Sequence, residues 1–434
     1  MEAGLQIQRD RYLKKLISFM WNGQIKVITG LRRCGKSYLL KTIFRKYLTD
    51  QLGVKGIDIL TLNLDEVEYA RYCNPIELTA HVKAWATATK RKRYLFVDEI
   101  QNVQPVPNPY LPNGKKITFY DALNSFMHIE NLDVYVTGSN SKMLSTDILT
   151  EFRGRGDEVR LHPVSFAEYL AAVGGDRNDR LKTYFRYGGM PLCIRRRTDE
   201  EKEDYLHSLF AETYFKDIVE RKKIERIDVL NHVTDFLASG IGSLTNPNNI
   251  ANALISTYRY DVSVNTVSSY VDSLIDAFLF REAKRYDIKE RTFFDYPNKY
   301  YCEDLGLRNA RLMFRQQEET HLMENLIFNE LCLRGYKVDV GVVYSWDRNK
   351  NGNAKKVARE IDFVVNKRGE RVYIQSAFAL ASEEKKAAEL KPFSLTRDSF
   401  RKIIVRNDVG LRWYDENGIL NVNLLDFLLD ETII

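Results

Sequence analysis

Gly30-Leu31-Arg32-Arg33-Cys34-Gly35-Lys36-Ser37 has the residue types and spacing of a phosphate-binding turn. Its two glycines permit a tight bend, so successive backbone N–H groups face inward and can cradle phosphate oxygens. Arg32, Arg33, Cys34 and Tyr38 fall in the same binding segment. Lys36 supplies a mobile cation for β- and γ-phosphates. The Ser37 hydroxyl is placed to ligate Mg²⁺. The neighbouring elements are in the required order. The apolar, β-type run Ile25–Thr29 comes before the turn. The run Tyr38–Phe44 follows with helical spacing. A helix beginning there adds its positive N-terminal end.

Two further strands end in chemistry. Arg93–Val97 is an apolar run closed by Asp98 and Glu99. A carboxylate at the C-terminal end of a buried strand lies beside a phosphate-bound metal, so Asp98 is the expected Mg²⁺ partner. Glu99 would polarise the attacking water. The bland alternative is a strand followed by a polar turn. The run Ile57–Asn63 offers another strand between these motifs. Asp133–Thr137 is a third apolar run, closed by Gly138, Ser139 and Asn140. Ser139 at such an end can hydrogen-bond a γ-phosphate or a water, though an ordinary strand exit has the same composition.

In this order, phosphate loop, acid strand and polar strand end resemble the AAA-type ATPases of the additional-strand class, over about residues 20–165. The resemblance implies an α/β P-loop NTPase with a parallel sheet, ATP and Mg²⁺ as cofactors, and a helical lid after the core.

Composition agrees with a globular chain: 434 residues, 44% hydrophobic and 29% charged, which suits two to four domains. No run of eighteen apolar residues occurs, and the start does not read as a signal peptide, so a cytoplasmic protein without a membrane span is expected. Five dispersed cysteines without a C-x-x-C, and six histidines without metal spacing, point to reduced thiols and no structural zinc. A net charge of +6 permits nucleic-acid binding without demanding it.

Four segments are expected: the ATPase core over 1–163, the lid over 164–226, a winged helix over 227–288 and an α/β domain over 289–434. In the lid, the turn Gly188-Gly189-Met190-Pro191 is similar to one that lies against adenine in a related class of signalling ATPases, which nominates Gly189 and Pro191. It also reads as a plain helix-breaking turn. Arg153 and Arg155 lie just past the core strands. Arg155 is the better placed as a finger on transition-state charge, usually reaching in from a neighbouring subunit, which suggests a homo-oligomer. A solvated basic turn is the other reading.

Three amphipathic stretches follow (229–238, 248–256 and 263–276), and then Ala277–Asp287 as an alternating hairpin. They resemble a winged helix, with Asn265, Thr266, Ser268 and Ser269 on the groove face and Arg281, Lys284 and Arg285 on the wing. That face is polar and hardly basic, so protein contacts suit it as well as DNA does. Beyond it, the helix 318–331 and strands at 338–346, 359–365 and 371–378 resemble the restriction-endonuclease-like fold. Glu324 and Asp362 would be its metal carboxylates. The place of (Asp/Glu)-x-Lys holds Gln375-Ser376-Ala377, which lacks the charges that cleavage needs.

The whole chain resembles a prokaryotic group of AAA-type ATPases bearing these C-terminal domains. The implied function is an ATP-hydrolysing switch acting on DNA or on a protein partner. The alternative is an ATP-locked scaffold or sensor with little turnover.

Overall fold

The computed structural model describes residues 5–111, 114–138, 156–348, 354–380 and 382–434. The chain forms two compact units, one of residues 7–163 and 276–278, the other of residues 1–6, 164–275 and 279–434.

The first unit is built on five parallel strands: β1 (Ile25–Gly30), β2 (Ile59–Asn63), β3 (Arg93–Asp98), β4 (Leu132–Thr137) and β5 (Gly156–Leu161). Their order is β2-β3-β4-β1-β5, so β4 is inserted between the phosphate-loop strand and the acid strand. Strands β1, β3 and β4 are buried along their whole length, as expected for a parallel sheet covered on both faces. Leu78, Val82 and Ala86 of the helix Pro75–Thr87 and Leu123 and Phe126 of the helix Phe119–Phe126 belong to its core. Burying apolar area of this kind stabilises by roughly 25 cal/mol per Å². Lys26, the second residue of β1, is fully buried. It pairs with Asp133 of β4 at 2.5 Å, and Asp133 also accepts from the Tyr135 hydroxyl at 2.8 Å. Because all five strands run the same way, the C-terminal ends of β1, β3 and β4 share one edge. Gly30, Asp98 and Thr137 are therefore brought together.

In the second unit the strands are, in chain order, β6 (Leu244–Thr245), β7 (Phe280–Ala283), β8 (Arg285–Asp287), β9 (Thr292–Phe293) and β10 (Asn298–Cys302). They continue as β11 (Lys337–Arg348), β12 (Ala354–Lys367), β13 (Glu370–Ala377), β14 (Arg401–Arg406), β15 (Trp413–Tyr414) and β16 (Leu420–Asn423). Three make a small antiparallel sheet, β6-β10-β7, next in sequence to the helices Ile227–Ser239, Pro247–Tyr258 and Val264–Asp276. The other eight form one mixed sheet, β15-β16-β14-β13-β12-β11-β8-β9.

This arrangement corrects the expected hairpin at 277–287. Only Lys284 separates β7 from β8, and the two pair in different sheets: β7 with β10, and β8 with β11 and β9. Alternation along a strand tells which face is buried and nothing about which neighbour it pairs with. The central strand of the small sheet, β10, comes from beyond residue 288.

A short helix, Leu305–Arg311, sits at the middle of this unit with Leu305, Gly306, Leu307, Arg308, Asn309 and Ala310 all buried. Its N-cap, Asp304, accepts from the Leu307 N–H at 3.0 Å and from the Gly189 N–H at 2.7 Å. Asn309 donates to the carbonyls of Phe185 (2.8 Å) and Arg186 (2.9 Å), and Arg308 donates to Ala238 at 2.9 Å. The helix thereby ties the helix Arg177–Tyr187 to the helix Ile227–Ser239. The Gly188-Gly189 turn has no room for side chains. A Cβ on Gly189 would lie 2.1 Å from the Val164 carbonyl oxygen, and one on Gly188 would lie 2.4 Å from Asp304 Oδ1.

Burial pushes the Asp304 carboxyl up to about 6, against the pull of the Gly189, Leu307 and Gly306 backbone donors. A raised carboxyl favours the protonated form in the folded chain. Its contribution is fully present below the ordinary carboxylate range and is lost as pH rises through about 6, at a cost near 3 kcal/mol when complete. Asp304→Asn keeps an acceptor and removes the titration. In urea unfolding, the stability of the wild type relative to Asp304→Asn is expected to fall between about pH 4 and pH 7 and to level off beyond.

Candidate functional site

The turn after β1 takes its shape from three positive backbone angles, φ 132° at Gly30, 59° at Arg33 and 103° at Gly35. Left-handed residues alternating with ordinary ones aim neighbouring N–H groups at one point. Gly30 is required twice over, since a Cβ there would lie 2.1 Å from the Leu161 carbonyl oxygen on β5. Lys36 opens the following helix. It is 4% exposed, and its ammonium donates to the carbonyls of Gly30 (3.0 Å) and Leu31 (2.9 Å), folding over the turn. Cys34 turns inward instead: its N–H bonds Leu31 O at 3.3 Å and its thiol donates to Leu161 O at 3.6 Å. Arg33 and Tyr38 are exposed and Arg32 is half-buried.

Asp98, at the end of β3, is the node. Its Oδ1 accepts from the Ser37 hydroxyl at 3.0 Å and from the Thr137 hydroxyl on β4. Its Oδ2 pairs with the Lys41 ammonium at 2.6 Å. Lys41 follows Ser37 by one helical turn, so both point to one side. It lies in a stretch, Leu39–Phe44, where the helix widens to i→i−5 bonding, a local feature that often accompanies functional sites. Glu99 adopts φ 55°, ψ 52°, an uncommon conformation for a residue with a side chain. Its N–H donates to Thr137 Oγ1 at 3.0 Å, and its carboxylate accepts from the Gln101 side chain. Thr137 therefore orients both acids.

The expected Lys36, Ser37, Asp98 and Glu99 thus form one constellation with the turn. Ser139 and Arg155, with Asn140 and Arg153, lie outside the described residues. Gly189 is buried in the second unit, bonded to Val164 and Asp304, and Pro191 is half-buried in the following short helix. Thr137, Lys41 and Asn63 were missed. The terminal threonine of an apolar strand was a visible signal for the first. For Lys41, the signal was its i+4 spacing from Ser37.

In the second unit, Glu324 and Asp362 do come together, but around a lysine that sequence reasoning did not find. Lys299 of β10 is buried. Its ammonium lies 2.8 Å from Glu324, 2.6 Å from Glu360 and 3.5 Å from Asp362. Tyr301 donates to the same Glu324 oxygen at 2.7 Å. Burial alone would lower the pKa of Lys299, but Tyr301 and the three carboxylates together raise it well above the ordinary lysine range. Gln375 is spent on structure: its carbonyl accepts from the Asp362 N–H at 3.3 Å and its amide donates to Glu389 at 2.9 Å. Ala377 is buried on β13. Among the described residues, no group of three or more His, Cys, Asp or Glu side chains is placed to hold a metal ion.

A family described as "AAA domain" matches residues 22–170, and a domain family of unknown function matches residues 178–318. The chain is 33% identical over 432 residues to an uncharacterized protein of Haemophilus influenzae, covering 98% of each. It is 27% identical over 405 residues to an uncharacterized protein of Methanocaldococcus jannaschii, covering 89% of this chain and 83% of that one. Among solved structures, the Aeropyrum pernix ORC2 protein in its ADPNP–ADP complexes aligns at 10% identity with a TM-score of 0.40, over 76% of this chain and 96% of that chain. The Aeropyrum pernix ORC1 protein in complex with DNA aligns at 14% identity with a TM-score of 0.30, over 71% and 93%. No helix among the described residues is long and apolar enough to cross a membrane.

Two outcomes follow from this geometry. Lys36→Ala leaves the turn without its cation, and fluorescent-nucleotide binding is expected to weaken by about 30- to 150-fold, the effect of losing two to three kcal/mol of charge-assisted contact. Unchanged affinity would remove the phosphate-loop assignment. The Lys299 cluster is expected not to cut plasmid, single-stranded DNA or RNA with Mg²⁺ or Mn²⁺, and cleavage that disappears in Asp362→Ala would contradict this.

Proposed function

We propose that this chain, which belongs to one family with the Haemophilus influenzae protein and carries an AAA domain, is a Mg²⁺-dependent ATP-hydrolysing switch whose C-terminal domains engage DNA or a protein partner. The observation that carries this reading is the convergence of Lys36, Ser37, Asp98, Thr137 and Glu99 at one edge of a parallel sheet. The residues fit the ligand. The turn aims N–H groups inward, a helix begins at Lys36, and the metal donors are hydroxyl and carboxylate oxygens, which suit Mg²⁺.

Bound Mg-ATP would supply a phosphoryl group open to attack by water. The chain's own residues do the rest. The turn from Gly30 to Ser37 would hold the phosphates, with Lys36 giving up its Gly30 and Leu31 carbonyls to them. Ser37 and Asp98 would hold the metal. Glu99 takes the proton from the attacking water, with its backbone fixed by Thr137 and its carboxylate steered by Gln101. Arg155 acts as a finger from a neighbouring copy in a homo-oligomer, and Ser139 touches the γ-phosphate or the water. Gly189 and Pro191 are assigned to adenine by the family resemblance alone. The protein works in the cytoplasm.

The lid reports the nucleotide to the winged helix through the buried helix Leu305–Arg311, whose cap and side chains bond the lid turn and the helix Ile227–Ser239. Partner choice then rests on the exposed Asn265 and Ser269 of the helix Val264–Asp276.

The test is Glu99→Gln. The amide keeps the shape and cannot take a proton. Mg-ATP affinity is expected to stay at the wild-type level while single-turnover hydrolysis falls by at least about 100-fold. Equal single-turnover rates would place the base elsewhere. A wild type that binds ATP and does not hydrolyse it, with or without DNA, would favour the ATP-locked scaffold.

A further inference from the structure

Lys41 is a second cation in the site, and the phosphate loop does not account for it. Its ammonium lies 2.6 Å from Asp98 Oδ2 and also donates to Asn63 Oδ1 at the end of β2. Asn63 is held in turn by donating to Glu66. The Lys41 side chain is 28% exposed and the Asp98 side chain 6% exposed, so the pair lies at the rim of a buried carboxylate. The other Asp98 oxygen is taken by Ser37 and Thr137. The carboxylate that a divalent ion beside Ser37 would draw on is thus already neutralised by the chain. An ion of charge two arriving there meets an ammonium of like charge at short range.

We propose that Lys41 competes with the divalent cation for Asp98: it holds the carboxylate until a metal-bound nucleotide takes it over, and so sets the Mg²⁺ concentration at which nucleotide is retained. This rests on reading Gly30–Ser37 and Asp98 as a Mg-nucleotide site. Asn63 gives the exchange its second position. When Asp98 turns to the metal, the ammonium keeps one partner, the Asn63 carbonyl, and is not stranded. The arrangement also gives Asp98 a partner of its own charge balance at low Mg²⁺, where a bare buried carboxylate would be costly.

The experiment is a Mg²⁺ titration of mant-ATP binding to the full-length chain, with Lys41→Met, Lys41→Arg and Asn63→Ala beside the wild type. The Lys41→Met midpoint is expected about five- to tenfold below that of the wild type, the effect of removing one partly buried charge pair. Lys41→Arg keeps the charge and stays near the wild type. Asn63→Ala moves the midpoint the other way, to higher Mg²⁺, because the ammonium then has Asp98 alone. Thermal unfolding gives a readout free of turnover. Lys41→Met melts below the wild type without nucleotide and gains more from Mg-ATP than the wild type does. Unchanged midpoints in Lys41→Met and Asn63→Ala, with mant-ATP bound by both, overturn the role of Lys41 and leave the nucleotide site standing. A wild type that holds no mant-ATP at any Mg²⁺ concentration overturns the nucleotide site and this inference with it.

Discussion

A carboxylate buried at the end of a strand has to be answered by donors, and the donors around Asp98 come from separate elements. Ser37 and Lys41 reach it from the helix that follows the phosphate turn, and Thr137 reaches it from the inserted strand β4. Leaving such a group unpaired costs several kcal/mol, so these elements are held in register by the need to satisfy it. The parallel sheet makes this possible by bringing three strand ends to one edge. Thr137, which bonds Asp98, also holds the Glu99 N–H, so the second acid is positioned through the partner of the first.

The second unit is organised around a comparable demand made by two buried groups. Asp304 gathers backbone N–H groups from the Gly188-Gly189 turn and from its own helix, and Lys299 gathers carboxylates from a helix and a strand. In both places a charge or dipole that would be costly alone becomes a cross-link between segments far apart in sequence. A turn that meets Asp304 this closely through a backbone N–H leaves no room for side chains, which is why two glycines stand there.

What was legible in the sequence was local. The phosphate turn, the acid pair after an apolar strand, and the helix and strands around Glu324 and Asp362 are each written within a dozen residues, and each forms where its pattern says. The inserted position of β4 was implied by a family resemblance, since nothing in strand composition states order. Thr137 and Lys41 act through that order and so were not singled out. The segment 277–287 was misread because its alternation fixes faces and leaves partners open. Lys299 was invisible for a related reason: its strand joins the small sheet, while its ammonium serves a cluster supplied mostly by residues 324–362. No spacing rule links a lysine to carboxylates contributed by a different sheet.

The Lys299 cluster has a consequence beyond stability. A metal ion at such a place exchanges with solvent, so its occupancy follows the surrounding salt and can be stripped by a chelator. An ammonium tethered by the backbone is present once per chain at a fixed local concentration. It is added during synthesis and cannot be removed by dialysis. One positive charge is thereby shared among three carboxylates without drawing on ions from outside.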